Sequence, residues 1–211
     1  MHHMALVYRG SDEFSAGAAT FLKGGVDRPQ RLLVILSASK LGPFMSTLVS
    51  GFAEVQVVDP EDAYRPAVRA TARVLEFLAS DPRPARVITE PPVAERGAVE
   101  LTDHLRTEAA ANIAFEAYPA SILCAYDADA LSDKFVAGCK RSHPFLLHGD
   151  QAIPSPAFTE PRRLIARTPS IQAPPMWADA FRCDRPADLP GGAGLAPVSR
   201  DASRVGCRTH P

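Results

Sequence analysis

Short apolar runs alternate with longer stretches whose apolar positions recur every three or four residues, and the chain repeats this rhythm about five times before it fades. Residues 4–8 (MALVY) predict a strand. Ser11 follows, with Asp12 and Glu13 behind it, the order expected of a helix N-cap and an acidic first turn. Phe14, Ala18, Phe21 and Leu22 then share one helical face, and Gly24-Gly25 predicts its stop. Residues 32–36 (LLVIL) are continuously apolar, as in a parallel strand covered on both faces. Residues 41–49 predict a helix with Pro43 near its first turn, and 55–58 (VQVV) a third strand. Ala67, Ala70, Val74 and Leu78 recur at helical spacing over 67–78. A short fourth strand opens at Val87 and ends at Thr89-Glu90-Pro91-Pro92. A long helix covers 99–118, a fifth strand 122–126 (ILCAY), and a last helix 131–142, stopped by His143-Pro144.

This alternation predicts an α/β fold of three layers, a mainly parallel sheet with helices on both faces, joined by right-handed crossovers. Strand order is not legible at this stage. From Pro144 onward the composition changes: 11 of the 20 prolines lie there. Pro154, Pro156 and Pro161 interrupt what would be a closing extended segment. Residues 1–161 are therefore expected to form one domain and 162–190 a linker. Residues 191–211 carry almost no large apolar side chains to offset their ordering entropy, so a disordered tail is expected.

The 211 residues are 46% hydrophobic, enough to bury a core, with a formal net charge of −1. That balance offers no basic footprint for nucleic acid and no polybasic anchor for a membrane. No apolar run approaches the roughly 18 residues of a spanning helix, and the first residues lack the parts of a signal peptide. A cytoplasmic protein is expected. Cys124, Cys139, Cys183 and Cys207 include no CxxC pair, so free thiols are expected rather than a zinc ribbon or a redox pair.

The phosphate-cradling motifs GxxxxGK(S/T) and GxGxxG are absent, and after the first strand two carboxylates (RGSDEF) stand where a phosphate would sit. GxSxG is missing too. Ligands in open α/β sheets bind beyond the strand C-termini, which draws attention to Glu90, Cys124, Tyr126 and Asp127. Glu108 and Asn112 are four apart on the long helix and share a face. Each has a plainer reading. Cys124 inside an apolar strand reads as a small core residue, Glu90 as a local cap, Glu108 and Arg106 as a solvated face, and Asn112 as a local backbone partner. His143 reads as a helix terminus favoured by the dipole, and His3, at the chain start, as disordered. Cys124, His3 and His143 together could make a soft metal site, or a Cys–His pair an activated thiolate, but the sequence does not bring them together. No metal or cofactor is therefore assigned.

HMALVYRGSDEF at 3–14, ITEP at 88–91, LRTEAAANIAF at 105–115, ILCAYDADAL at 122–131, RSHP at 141–144 and SPAFTEP at 155–161 together resemble the MEDS domain, a sensory domain of methanogen and methylotroph regulators. The resemblance implies a RecA-like fold without a P-loop and a role in sensing small hydrocarbon derivatives in prokaryotic signal transduction. It implies His3, Glu90, Glu108, Asn112, Cys124, Tyr126, Asp127 and His143 as ligand-site residues. Relatives often carry Gly before the Glu and Ile-Trp-Pro-Gly after the Pro of the ITEP turn; here Thr89 and Pro92-Val93-Ala94-Glu95-Arg96-Gly97 stand instead. PPMWADAFRCDRPADLP at 174–190 resembles the linker and first strand of the histidine-kinase-like ATPase that follows this domain in anti-sigma-factor-type regulators, and the likeness stops at Gly191.

The expectation is a non-catalytic sensory module that binds a small organic ligand and passes the signal to a kinase-like output domain or a sigma-factor regulatory protein, touching neither nucleic acid nor membrane. A degenerate nucleotide-binding or thiol-dependent enzyme is the alternative, and an interaction scaffold a third.

Overall fold

The computed structural model describes residues 1–23, 30–46, 52–64, 68–94 and 96–167. The expected glycine stop at 24–25, the linker from 168 onward, the ATPase-like segment and the tail lie outside them.

Among the described residues, seven strands and seven helices follow in the order β1 (His2–Tyr8), α1 (Gly10–Lys23), β2 (Gln30–Ile35), α2 (Ala38–Ser46), β3 (Phe52–Val58), α3 (Pro60–Ala63), α4 (Val68–Ala79), β4 (Ala85–Thr89), α5 (Ala98–Ala114), β5 (Ala120–Asp127), α6 (Asp133–Ser142), β6 (Phe145–His148), β7 (Gln151–Pro154) and α7 (Pro161–Arg167). They form one sheet in the order β3-β2-β4-β5-β1-β6-β7, parallel except for β7. The expected three-layer α/β fold is the one observed. The inner strands are buried along nearly their whole length, which is why their sequences run continuously apolar.

Alternation along each strand divides the core in two. Met4, Leu6, Leu32, Val34, Ile88, Leu123 and Ala125 face α1 and α2, where Phe14, Phe21, Leu22 and Phe44 cover them. Ala5, Leu33, Ile35, Val87, Ile122, Cys124 and Tyr126 face the other way, against Val74 and Phe77 of α4, Ala111 of α5 and Phe135 and Cys139 of α6. At Gly138 the α5–α6 contact is close: a Cβ there would lie 2.4 Å from Leu105 Cδ1.

Three sequence expectations change. Ser11 is not an N-cap, because α1 already begins at Gly10; the carboxylate of Glu13 instead accepts from the Arg9 backbone N–H at 2.7 Å. The second helix starts at Ala38, three residues early, with the Ser37 carbonyl accepting from the Lys40 and Leu41 N–H groups, so Lys40 falls in its first turn. Beyond His143 the prolines do not end the sheet. β6 and β7 form a hairpin turned at Gly149, whose φ of 58° suits glycine. Pro154 is tolerated because β7 is an edge strand.

Candidate functional site

The α5 face that meets the sheet is polar. His104, Glu108 and Asn112 follow at intervals of four and are all buried. Opposite them, His3 on β1 and Cys124 and Tyr126 on β5 point to the same face, since His3 pairs with Ile122 and Ala5 with Cys124 in the parallel register. The C-cap of α6 adds His143.

The structure thus brings together five of the eight residues singled out from sequence. His3 Nε2 lies 3.2 Å from Glu108 Oε2 and 3.4 Å from Cys124 Sγ. Cys124 Sγ lies 3.6 Å from Glu108 Oε2, and His143 Nε2 3.3 Å from the same oxygen. Asn112 joins the group through its side-chain oxygen, 3.1 Å from His3 Nδ1. A sixth, Tyr126, stands at the rim: its hydroxyl is 3.3 Å from His104 Nε2, which is itself 3.3 Å from Glu108 Oε1. Among the described residues, His3, Glu108, Cys124 and His143 are a set whose donor atoms could share one metal ion, all lying within 4.8 Å of one another.

Four plain readings are thereby corrected. His3 is no loose terminus but a strand residue, 1% exposed. Glu108 is not on a solvated face. Cys124 is buried as a core residue would be, yet its sulfur meets a carboxylate and an imidazole. His143 does end a helix, but it is fully buried and its charge is not what the site favours. Burial, then the neighbouring His3, holds its imidazole below the ordinary range against the pull of Glu108.

Burial alone would push the Glu108 carboxyl up; contacts with His143 and His3 and the charge of His104 overrule it, leaving the group well below the usual carboxylate range. Cys124 moves the other way: burial first, then the Glu108 carboxylate, push its thiol up. A nucleophilic cysteine needs the reverse shift. Tyr64 and Tyr126 are raised chiefly by burial.

Glu90 and Asp127 belong to a different place, the C-terminal ends of β4 and β5. There Lys40 of α2 donates to Glu90 and to the Tyr8 hydroxyl, Tyr8 donates to Glu90, and Asp127 lies 4.0 Å from the Lys40 ammonium. Lys40 Nζ also sits 4.4 Å from the centroid of the Tyr8 ring. Burial raises the Glu90 carboxyl, Lys40 pulls it back, and the Asp127 charge adds to the rise.

Sequence reasoning missed His104 and Lys40. The spacing His104–Glu108–Asn112 was a usable signal for the first. Nothing local marked Lys40, whose role depends on where α2 begins.

Beside the buried cluster is a cavity of about 30 Å³, room for roughly one water. His3, Glu108 and Cys124 form its polar wall, and Val74, Phe115 and Ile122 are among its apolar ones. A search of curated proteins finds no match to the chain. A family model described as MEDS, the methanogen/methylotroph, DcmR sensory domain, matches residues 2–144, more than half of the chain.

Proposed function

The chain belongs to the MEDS family of sensory domains, and on that premise we propose that it is the ligand-binding sensory module of a prokaryotic signalling protein. The observation that carries this reading is the cavity between α4, α5 and the sheet, with apolar walls and one polar side made by His3, Glu108 and Cys124. Such a lining selects a small organic molecule with one polar group. At about 30 Å³, room for roughly one water, the space as it stands is too small for such a molecule, so binding separates α4 from α5. A ligand that favours the separated arrangement shifts the population toward it. That displacement is the signal handed to an output partner, a kinase-like domain or a sigma-factor regulator. The cavity offers recognition without turnover: no phosphate loop is present, and the one thiol at the site is held protonated. No described helix is long and apolar enough to cross a membrane, and the module is read as acting in the cytoplasm.

The test is a thermal-shift and calorimetric screen of the full chain against one- to three-carbon alcohols, amines, carboxylates and halocarbons. One class should bind saturably, and Ala111→Leu, which fills the cavity, should abolish the response while the chain stays folded. Equal binding by the filled variant, or turnover of the ligand, would defeat the reading. Stabilisation by ATP with Mg²⁺ would favour the nucleotide-binding alternative.

A further inference from the structure

The hydrogen bonds around the buried cluster fix where its protons are. Asn112 spends both amide hydrogens on backbone carbonyls, donating to Glu108 at 3.0 Å and to Ser142 at 2.8 Å. Its side-chain oxygen is therefore the atom that faces His3 Nδ1, and His3 Nδ1 must donate to it. His143 Nδ1 lies 2.8 Å from the Cys139 carbonyl, an acceptor only, so it too must carry the hydrogen. That leaves Nε2 of each imidazole as the nitrogen free to offer a lone pair to an ion, and both Nε2 atoms face Glu108 Oε2. His143 Nε2 is fully buried and makes no hydrogen bond. Two imidazole nitrogens, a carboxylate oxygen and a sulfur converge, with no lysine or arginine among them.

We propose that His3, Glu108, Cys124 and His143 form a tetrahedral site for a zinc-class divalent cation. The spacing fits. Ligands 2.0–2.3 Å from a tetrahedral ion stand about 3.3–3.8 Å apart; four of the six donor pairs here lie 3.2, 3.3, 3.4 and 3.6 Å apart, and all six lie within 4.8 Å. The donor set of two nitrogens, one sulfur and one oxygen suits zinc better than a hard cation such as magnesium or calcium. Glu108 binds through Oε2 alone, because Oε1 is engaged by His104. Each histidine has the outer partner that orients a metal ligand: Asn112 for His3, the Cys139 carbonyl for His143. On binding, Cys124 releases its thiol proton to solvent and coordinates as thiolate, so the site gains a metal–sulfur bond and loses one proton. The ion ties together β1, α5, β5 and the end of α6, elements more than 100 residues apart in sequence between His3 and Glu108.

This inference stands whether or not the cavity takes an organic ligand. The full chain is stripped with a chelator and reloaded with Zn²⁺ or, as a spectroscopic probe, Co²⁺. One ion per chain is expected, with a thiolate-to-cobalt charge-transfer band. The band should vanish in Cys124→Ser and persist in the Cys183→Ser/Cys207→Ser double variant; His143→Gln should weaken zinc binding at least tenfold. X-ray absorption of the zinc-loaded wild type, which needs no variant to fold, should show one sulfur and three nitrogen or oxygen neighbours. Substoichiometric zinc, a first shell with no sulfur or with two, or a band that survives Cys124→Ser would overturn the proposal.

Discussion

At the strand C-termini, Lys40 supplies a positive charge to Tyr8, Glu90 and Asp127; Tyr8 is buried, and the three charged groups remain within reach of water. Between the sheet and α5, the nest of His3, Glu108, Cys124 and His143 is sealed and holds no lysine or arginine. The first cluster carries its own counter-charge, the Lys40 ammonium. The second has been assembled at the cost of desolvating a carboxylate, with acceptors aimed at one another. A buried charge persists when it is paired or coordinates a metal. The difference teaches that the nest is built for something from outside the chain, whereas the strand-end cluster is complete as it stands.

The sharpest way to test that contrast is to disturb the nest without touching a donor atom. Asn112→Ala removes the acceptor of His3 Nδ1–H and the donor to the Ser142 carbonyl, both buried. Each orphaned group costs about 1–3 kcal/mol, so a loss of roughly 2–6 kcal/mol in chemical denaturation is expected. Zinc affinity should fall about 10–100-fold as the imidazole loses its orientation. If stability falls and zinc affinity does not, Asn112 is only a core brace, and the nest is less specialised than the comparison holds.

The two regions were unequally legible in the sequence. The sheet was readable because its inner strands are buried on both faces, and LLVIL and ILCAY say so directly. The resemblance named the nest residues but could not say that they meet, since the β1–β5 register brings His3 to Cys124 and the packing of α5 against that sheet face brings Glu108 to both. α5 hid its role by inverting the usual pattern. It exposes Val99 and Ile113 and buries His104, Glu108 and Asn112, so apolar periodicity does not mark its inner face. Glu90 and Asp127 were assigned to the same site as His3, and the structure separates them, because residues at strand ends and residues inside the helix–sheet layer look alike in a linear motif. The hairpin β6–β7 was obscured by prolines that are harmless at an edge.

A smaller effect is expected at the strand ends. Lys40→Met keeps most of the apolar stem but withdraws the cation, leaving Glu90 and Asp127 to repel each other. Both carboxylates can still reach water, so the cost is well below that of a broken buried pair, about 1–2 kcal/mol. Zinc binding should be unchanged. A simultaneous loss of zinc affinity would mean that the two clusters are coupled and that the comparison divides one site in two.

The smallest expected effect is the pH dependence that Glu90 contributes at the strand ends. Burial holds the Glu90 carboxyl above its ordinary value. The folded chain therefore binds this proton more tightly than the unfolded chain does. Between the ordinary glutamate range and the raised folded value, the native state carries more protons, so this group makes stability rise as pH falls and fall as pH rises. Below the ordinary range both states are protonated and the contribution is constant; above the folded value both are ionised and the burial penalty is fully felt. Glu90→Gln cannot titrate. The difference in Tm, wild type minus Glu90→Gln, should grow as pH is lowered from about 7 to about 4, with its change centred just above the ordinary glutamate range. Lys40→Met should move that change to higher pH, because the ammonium opposes the rise. A difference that stays flat across this interval would show that Lys40 offsets the burial completely.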